Sequence, residues 1–109
     1  MAQSEGETGM RNFVRCKVYP GQFSDEFAVS GQQADGERFS LFVPVQYVKP
    51  DQEPTRDTSV EGWLQVSLWE QSGANVVVKL PRESFESGRF VTIGTDQLQY
   101  SIQALESQP

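Results

Sequence analysis

The chain contains no histidine and only one cysteine among its 109 residues. Without histidine there are no Ser-His or Cys-His nucleophile pairs, and the commonest metal ligand is missing. A single cysteine forms no internal disulfide and no thiolate metal site within one chain. Cys16 shares its side of the predicted strand with Val14 and Val18, which predicts an inward-facing structural thiol. We therefore expect no metal and no cofactor.

Long apolar runs are also missing. No stretch approaches the roughly 18 apolar residues that a membrane-spanning helix needs. The first ten residues, MAQSEGETGM, contain neither a basic region nor an apolar region of the kind found in secretory signals. The sequence also lacks a glycine-rich phosphate loop. These absences predict a cytoplasmic protein without a membrane partner.

The acidic charge is unevenly distributed along the chain. The net charge is −6, but seven of the fifteen acidic residues lie in residues 1–10, 49–62 and 106–109. The remaining sequence has eight acidic and seven basic residues and is close to neutral. Net charge therefore neither supports nor excludes an anionic partner. We predict a single domain over 11–105, with a disordered lead-in or tag at 1–10 and a flexible tail at 106–109.

Most of the predicted domain alternates between apolar and polar residues, which is typical of half-buried strands. Asp35-Gly36 predicts a tight hairpin, and the charged, proline-containing segment 49–61 predicts a long loop. For 98–104 the alternation favours a strand over a helix. The predicted fold is an all-β barrel or sandwich of six to seven mostly antiparallel strands with little or no helix. The strands are predicted at 11–19, 27–30, 37–45, 89–93 and 98–104, with two more inside 62–81.

The order of the last elements is similar to that of an SH3-like barrel. A hairpin is followed by a polar loop with one apolar residue, Phe85, then by a short strand and a turn that leads to Leu98. The resemblance is one of layout and rests on no family motif. It implies a small barrel.

Two tryptophans stand on the polar side of a predicted strand. Trp63 and Trp69 share their parity with Gln65 and Ser67, whereas Leu64, Val66 and Leu68 share the other. The first strand places Phe13, Arg15, Lys17 and Tyr19 on the corresponding side, and a later strand adds Val77 and Lys79. Three interpretations stay open: these aromatic residues are covered by a loop, a tail or a second sheet; they contact protein; or they stack on nucleic-acid bases.

We predict a non-enzymatic interaction module that binds a protein partner or a second copy of itself. Trp63 and Trp69 would form the contact, with Phe13, Tyr19 and Val77 as neighbours. The alternative is a barrel that binds single-stranded nucleic acid, with Arg15, Lys17 and Lys79 on the phosphates. A carboxylate-based enzyme ranks third, because it needs a cleft that pairs Glu83 or Glu86 with Asp25 or Glu26.

Overall fold

In a computed structural model, residues 12–100 are described, and they form eight strands and two short 3₁₀ turns. Within this range no helix is long and apolar enough to cross a membrane. The predictions for 1–10, for 106–109 and for the end of the last strand lie outside the described residues. The strands are β1 (Asn12–Pro20), β2 (Glu26–Gln32), β3 (Arg38–Pro44), β4 (Val48–Pro50), β5 (Val60–Ser72), β6 (Asn75–Ser84), β7 (Gly88–Gly94) and β8 (Leu98–Tyr100), and the turns are Val45–Tyr47 and Thr95–Gln97.

The strands form a nearly closed antiparallel barrel, which confirms the predicted all-β fold. The order of the main strands is β3-β2-β1-β5-β6-β7, with β4 paired to β5 and β8 paired to β1. The two end strands, β3 and β7, are joined through loops. The Ala34 N–H donates to the Thr92 carbonyl, and the Phe85 N–H donates to the Ser40 carbonyl, each at 2.8 Å. These bonds satisfy part of the edges that an open sheet exposes.

The barrel consists of two similar halves. Each contains three strands, a 3₁₀ turn and a three-residue strand, in the same order. Leu98 pairs with Val14 as Val48 pairs with Leu64, and Val14 and Leu64 pair with each other across β1 and β5. Residues that differ by 50 in number are therefore equivalent in β1 and β5, and an approximate two-fold axis passes between Val14 and Leu64.

The interior of the barrel is filled by the apolar residues of the alternating pattern. Inward-facing side chains on β1, β3, β5 and β6 are at most 1% exposed at Val14, Leu41, Leu64 and Val78. Residues at every second position of a strand point to the same face, so each strand contributes one row to the core. Aliphatic residues make up nearly all of this core, which buries the apolar surface that stabilises the fold.

The turns explain why the predicted strands end where they do. The predicted Asp35-Gly36 hairpin is present, with a φ of 92° at Gly36 and an Asp35 side chain that accepts a hydrogen bond from the Glu37 N–H at 2.9 Å. The predicted loop 49–61 is shorter in the structure. Its ends belong to β4 and β5, because Lys49 pairs with Trp63, and the connecting loop is 51–59.

Candidate functional site

The two tryptophans do not form a single contact surface. Trp63 and Trp69 lie on the same strand, β5, six residues apart, which separates their backbones by roughly 20 Å. Trp63 is half-buried, whereas 63% of Trp69 is exposed. The predicted contact face is therefore divided into two regions with different chemistry.

Trp63 belongs to a charged cluster around Arg15. The Arg15 guanidinium lies 4.7 Å from the centroid of the Trp63 ring, within the range of a cation–π contact. It also pairs with Asp51 at 2.7 Å and with Glu61 at 3.6 Å. The hydrogen bond to Asp51 raises the pKa of Arg15, and the charge of Glu61 adds to this effect. We name Arg15, Asp51, Glu61 and Trp63 the Arg15 cluster; it holds the start of loop 51–59 against β1.

Phe13 differs from the prediction that it lies on the contact face. Its side chain is 1% exposed, although the neighbouring residue Val14 faces the barrel interior. At this point β1 is flanked on both edges, since Phe13 pairs with Gln65 on β5 and with Gln99 on β8. Phe13 is thus buried on the side of the strand that its parity marked as solvent, and it contributes nothing to an exposed surface.

The exposed aromatic residues of the second half gather on the outer surface of β5, β6 and β7. The rings of Trp69 and Phe90 meet edge to face with their centroids 5.0 Å apart, and Phe90 is 44% exposed. Between them lies β6, whose outward residues are Val77 and Lys79. We name Trp69, Val77 and Phe90 the aromatic face, which Lys79 and Glu70 flank.

A β-bulge lies at Trp69, which strand alternation already places on the outer side. Leu68 pairs with Val78 and Glu70 pairs with Val77, so Trp69 has no partner on β6. The extra residue lets Trp69 reach across β6 to Phe90 while Glu70 stays on the outer side with Val77. Phe90 was not among the predicted contact residues. The alternation of 89–93 could have identified it, because Val91 and Ile93 face the core and Phe90 therefore faces outward.

The cations that were predicted to bind phosphates do not share one surface. Arg15 is engaged by two carboxylates in the Arg15 cluster. Lys17 pairs with Glu61 on β5, whereas Lys79 pairs with Ser67, six residues further along that strand. Lys17 therefore lies beside the start of β5 and Lys79 beside its middle, roughly 20 Å apart along the strand. Tyr19, 39% exposed, lies on the same side of β1 as Lys17.

The carboxylates considered for catalysis make local hydrogen bonds instead. Glu86 accepts from both the Ser40 N–H and the Ser40 hydroxyl, at 2.6 and 2.7 Å. Burial alone would raise the pKa of Glu86, but these hydrogen bonds outweigh burial and leave the pKa lowered. Glu26 accepts from the Gln22 N–H at 3.0 Å. Among residues 12–100, no group of three or more acidic, cysteine or histidine side chains is arranged to hold a metal ion.

Cys16 faces the barrel interior, as its alternation predicts, and is 4% exposed. Burial raises the pKa of its thiol from 9.0 to about 12, a larger effect than the opposing attraction of Arg15. In the other half, the equivalent residue is Val66, which is also buried. The site therefore accepts an aliphatic side chain of similar size.

We expect alkaline pH to destabilise the protein through Cys16. The unfolded thiol ionises near pH 9.0, whereas the folded thiol stays protonated to about pH 12. The stabilisation is thus complete below pH 9.0 and is lost as the pH rises, by about 1.4 kcal/mol per unit. Cys16→Val removes the pH dependence that comes from thiol ionisation. The free energies of unfolding of the wild type and of Cys16→Val, measured with denaturant, should therefore diverge above pH 9.0. Parallel pH profiles would contradict the assignment.

The arrangement thus offers an exposed aromatic face on one half of the barrel and a neutralised Arg15 cluster near its centre. Searches with this chain matched no protein family, no curated protein and no solved structure.

Proposed function

We propose that this chain is a non-enzymatic interaction module that associates with a second copy of itself through the aromatic face. The observation that supports the proposal is the exposed Trp69–Phe90 pair, which has 63% and 44% of its two side chains in contact with solvent. Trp is enriched at the energetic centres of protein interfaces, where its large apolar area is removed from water. Trp69 is far more exposed than the half-buried Trp63.

Another aromatic pair, in which only Phe85 is strongly exposed, lies where the barrel is closed. Phe85 is 69% exposed and meets Phe42 edge to face at 5.8 Å. Its backbone N–H closes the barrel through the Ser40 carbonyl. The Trp69 and Phe90 rings instead meet over β6, the middle one of the three neighbouring strands β5, β6 and β7. This makes the aromatic face the better candidate for a partner.

The charges beside the aromatic face match those of a second copy. Glu70 and Lys79 lie on opposite sides of Trp69, and no ion pair joins either of them to another residue in the range 12–100. In a two-fold contact the same patch is used by both copies. An axis that lies in the contact plane midway between Glu70 and Lys79 sets each Glu70 against the Lys79 of the other copy. The same axis brings the two Trp69 rings together.

The proposal predicts that Trp69→Ala weakens association at least about thirtyfold and keeps the fold. Truncation of a central interface tryptophan weakens binding by about 2 kcal/mol or more, roughly thirtyfold in Kd. Sedimentation velocity across protein concentration measures the monomer–dimer equilibrium, and circular dichroism checks the fold. Tryptophan emission should also shift to longer wavelength on dilution, because Trp69 returns to water.

The matched control is Trp63→Ala, on the same strand but outside the aromatic face. This variant removes the contact with Arg15, so it should lower stability and leave the association constant within about twofold of the wild type. A wild-type protein that stays monomeric at millimolar concentration would overturn the proposal of self-association. If only a heterologous protein is bound and Trp69→Ala blocks that binding, the surface is right and the partner is wrong.

A further inference from the structure

A second feature of the surface lies on the other half of the barrel, away from the aromatic face. A cleft of about 520 Å³ opens on the outer side of β1, β2 and β3, within the size range of small-molecule sites. Its floor is Ser30, which pairs with Lys17 on one side and with Ser40 on the other. We name it the basic cleft; its lining includes Arg15, Lys17, Tyr19, Ser30, Gln32, Arg38, Glu61 and Gln97.

Two of the three cations in the basic cleft form no salt bridge. Arg15 is neutralised by Asp51 and Glu61. Lys17 and Arg38 form no salt bridge within residues 12–100. Their acidic neighbours are Glu61, which pairs with Lys17 across β1 and β5, and Glu86, whose pKa the charge of Arg38 lowers. Three cations and one acidic residue, Glu61, therefore line this cleft in a protein whose net charge is −6. Like charges that converge on one cleft repel each other unless an anion lies between them.

The spacing of Lys17 and Arg38 suits a single anion. Lys17 and Arg38 lie on strands that flank β2, and Arg38 is displaced by two residues along the strand, since it pairs with Gln32. Their Cα atoms are therefore about 12 Å apart. Both side chains are long enough to meet over Ser30, whose hydroxyl can donate from below. The amides of Gln32 and Gln97 add further donors at the rim.

The equivalent cleft in the other half lacks this arrangement. It is smaller, about 210 Å³; Ser67 takes the place of Lys17, and Lys79 takes the place of Ser30. Its Arg89 donates to the carbonyls of Leu80 and Pro81, at 3.0 and 3.1 Å, so that guanidinium is used by the chain itself. The fold therefore does not require Lys17 and Arg38 at these positions, and the difference points to a ligand.

We propose that the basic cleft binds a phosphate group, held between Lys17 and Arg38. A phosphate dianion matches two positive charges, and its oxygens accept from a guanidinium fork, an ammonium and a hydroxyl at once. Tyr19 lines the same cleft two residues from Lys17 and is 39% exposed. Its ring lies beside the phosphate position, where a planar or apolar group attached to the phosphate would pack.

The phosphate could belong to a small phosphomonoester or to the backbone of a single-stranded nucleic acid. Separate titrations at low salt distinguish the two, with the amide chemical shifts of ¹⁵N-labelled protein as the readout. The probes are phenyl phosphate, with inorganic phosphate as its truncated form, and a short oligothymidylate. Saturable shifts at Lys17, Ser30 and Gln32 with phenyl phosphate support a small phosphomonoester. Shifts only with the oligonucleotide support the backbone of a single strand as the source.

The variants Lys17→Ala and Arg38→Ala should each weaken binding about tenfold, as expected for one charge-assisted hydrogen bond. Both residues are exposed, so the fold should not change. The control is Arg82→Ala, an exposed cation outside the cleft with the same loss of charge. Tyr19→Ala should make phenyl phosphate bind no tighter than inorganic phosphate. Absence of saturable shifts with all three probes, or an equal loss in Arg82→Ala, would overturn the proposal.

Discussion

Glu70→Lys is expected to abolish self-association, and Glu70→Lys combined with Lys79→Glu is expected to restore it. In a two-fold contact each substitution acts twice, so the single variant turns two attractive pairs into two repulsive ones. Like charges brought together at an interface cost several kcal/mol. Three kcal/mol correspond to more than a hundredfold in Kd. In the double variant position 70 is positive and position 79 is negative, so both pairs across the interface are attractive again.

Rescue by the double variant is the decisive measurement, because a merely unfolded or insoluble variant would not be rescued. Analytical ultracentrifugation of both variants, at low and at high salt, gives the comparison. Salt should reduce the penalty in Glu70→Lys, since it screens exposed charges. A matched reversal outside the aromatic face, Glu83→Lys, should leave the association unchanged. If Glu70→Lys and Glu83→Lys weaken association equally, the effect comes from net charge rather than from a Glu70–Lys79 contact.

The overall fold could be predicted from the sequence because burial in a barrel follows strand alternation. Every inward position that the pattern marks on β1, such as Val14 and Val18, is buried in the structure. Alternation specifies only which residues share a face. It does not specify which strands are neighbours, and so it could not place Phe90 beside Trp69 across β6.

The approximate two-fold symmetry could not be predicted from the sequence because the two halves share almost no identical residues. Between β1 and β5 the equivalent pairs include Cys16 and Val66 or Val14 and Leu64, which share only apolar character. The aromatic residues are nevertheless repeated, since Tyr19 is equivalent to Trp69. The similar outward-facing residues of β1 and β5 thus occupy equivalent positions on opposite halves of the barrel. They are not neighbours on a single face.

The separation of the predicted face also had causes that alternation does not encode. The position of Asp51 at the end of β4 brings its carboxylate to Arg15, which neutralises a predicted phosphate ligand. The bulge at Trp69 shifts the register of β5 against β6 by one residue. Both depend on contacts between residues that are distant in sequence or on a local irregularity. The candidate surfaces therefore became visible only when the strands were paired.

Gly62→Val is expected to cause the largest loss of stability of the substitutions considered. A Cβ at Gly62 would lie 2.7 Å from Val18 Cγ2 and 2.9 Å from Pro50 Cα, and the second of these is a backbone atom of the paired strand β4. The side chain can be accommodated only if β4 moves away from β5. We expect a loss of about 3 kcal/mol, at the upper end for overpacking, with a fall of about 4–8 °C in Tm for each kcal/mol.

Displacement of β4 should also disturb the Arg15 cluster, because Asp51 directly follows Pro50. Trp63 emission and the Arg15 side-chain NMR signals should therefore change in Gly62→Val before global unfolding. The comparison is Gly73→Ala, whose added Cβ meets no atom within 4 Å and which bears only the strain of a left-handed backbone at φ 62°. That strain costs about 1–2 kcal/mol. If the two variants lose the same free energy of unfolding, the close approach of β4 to β5 at Gly62 is not what makes Gly62→Val destabilising.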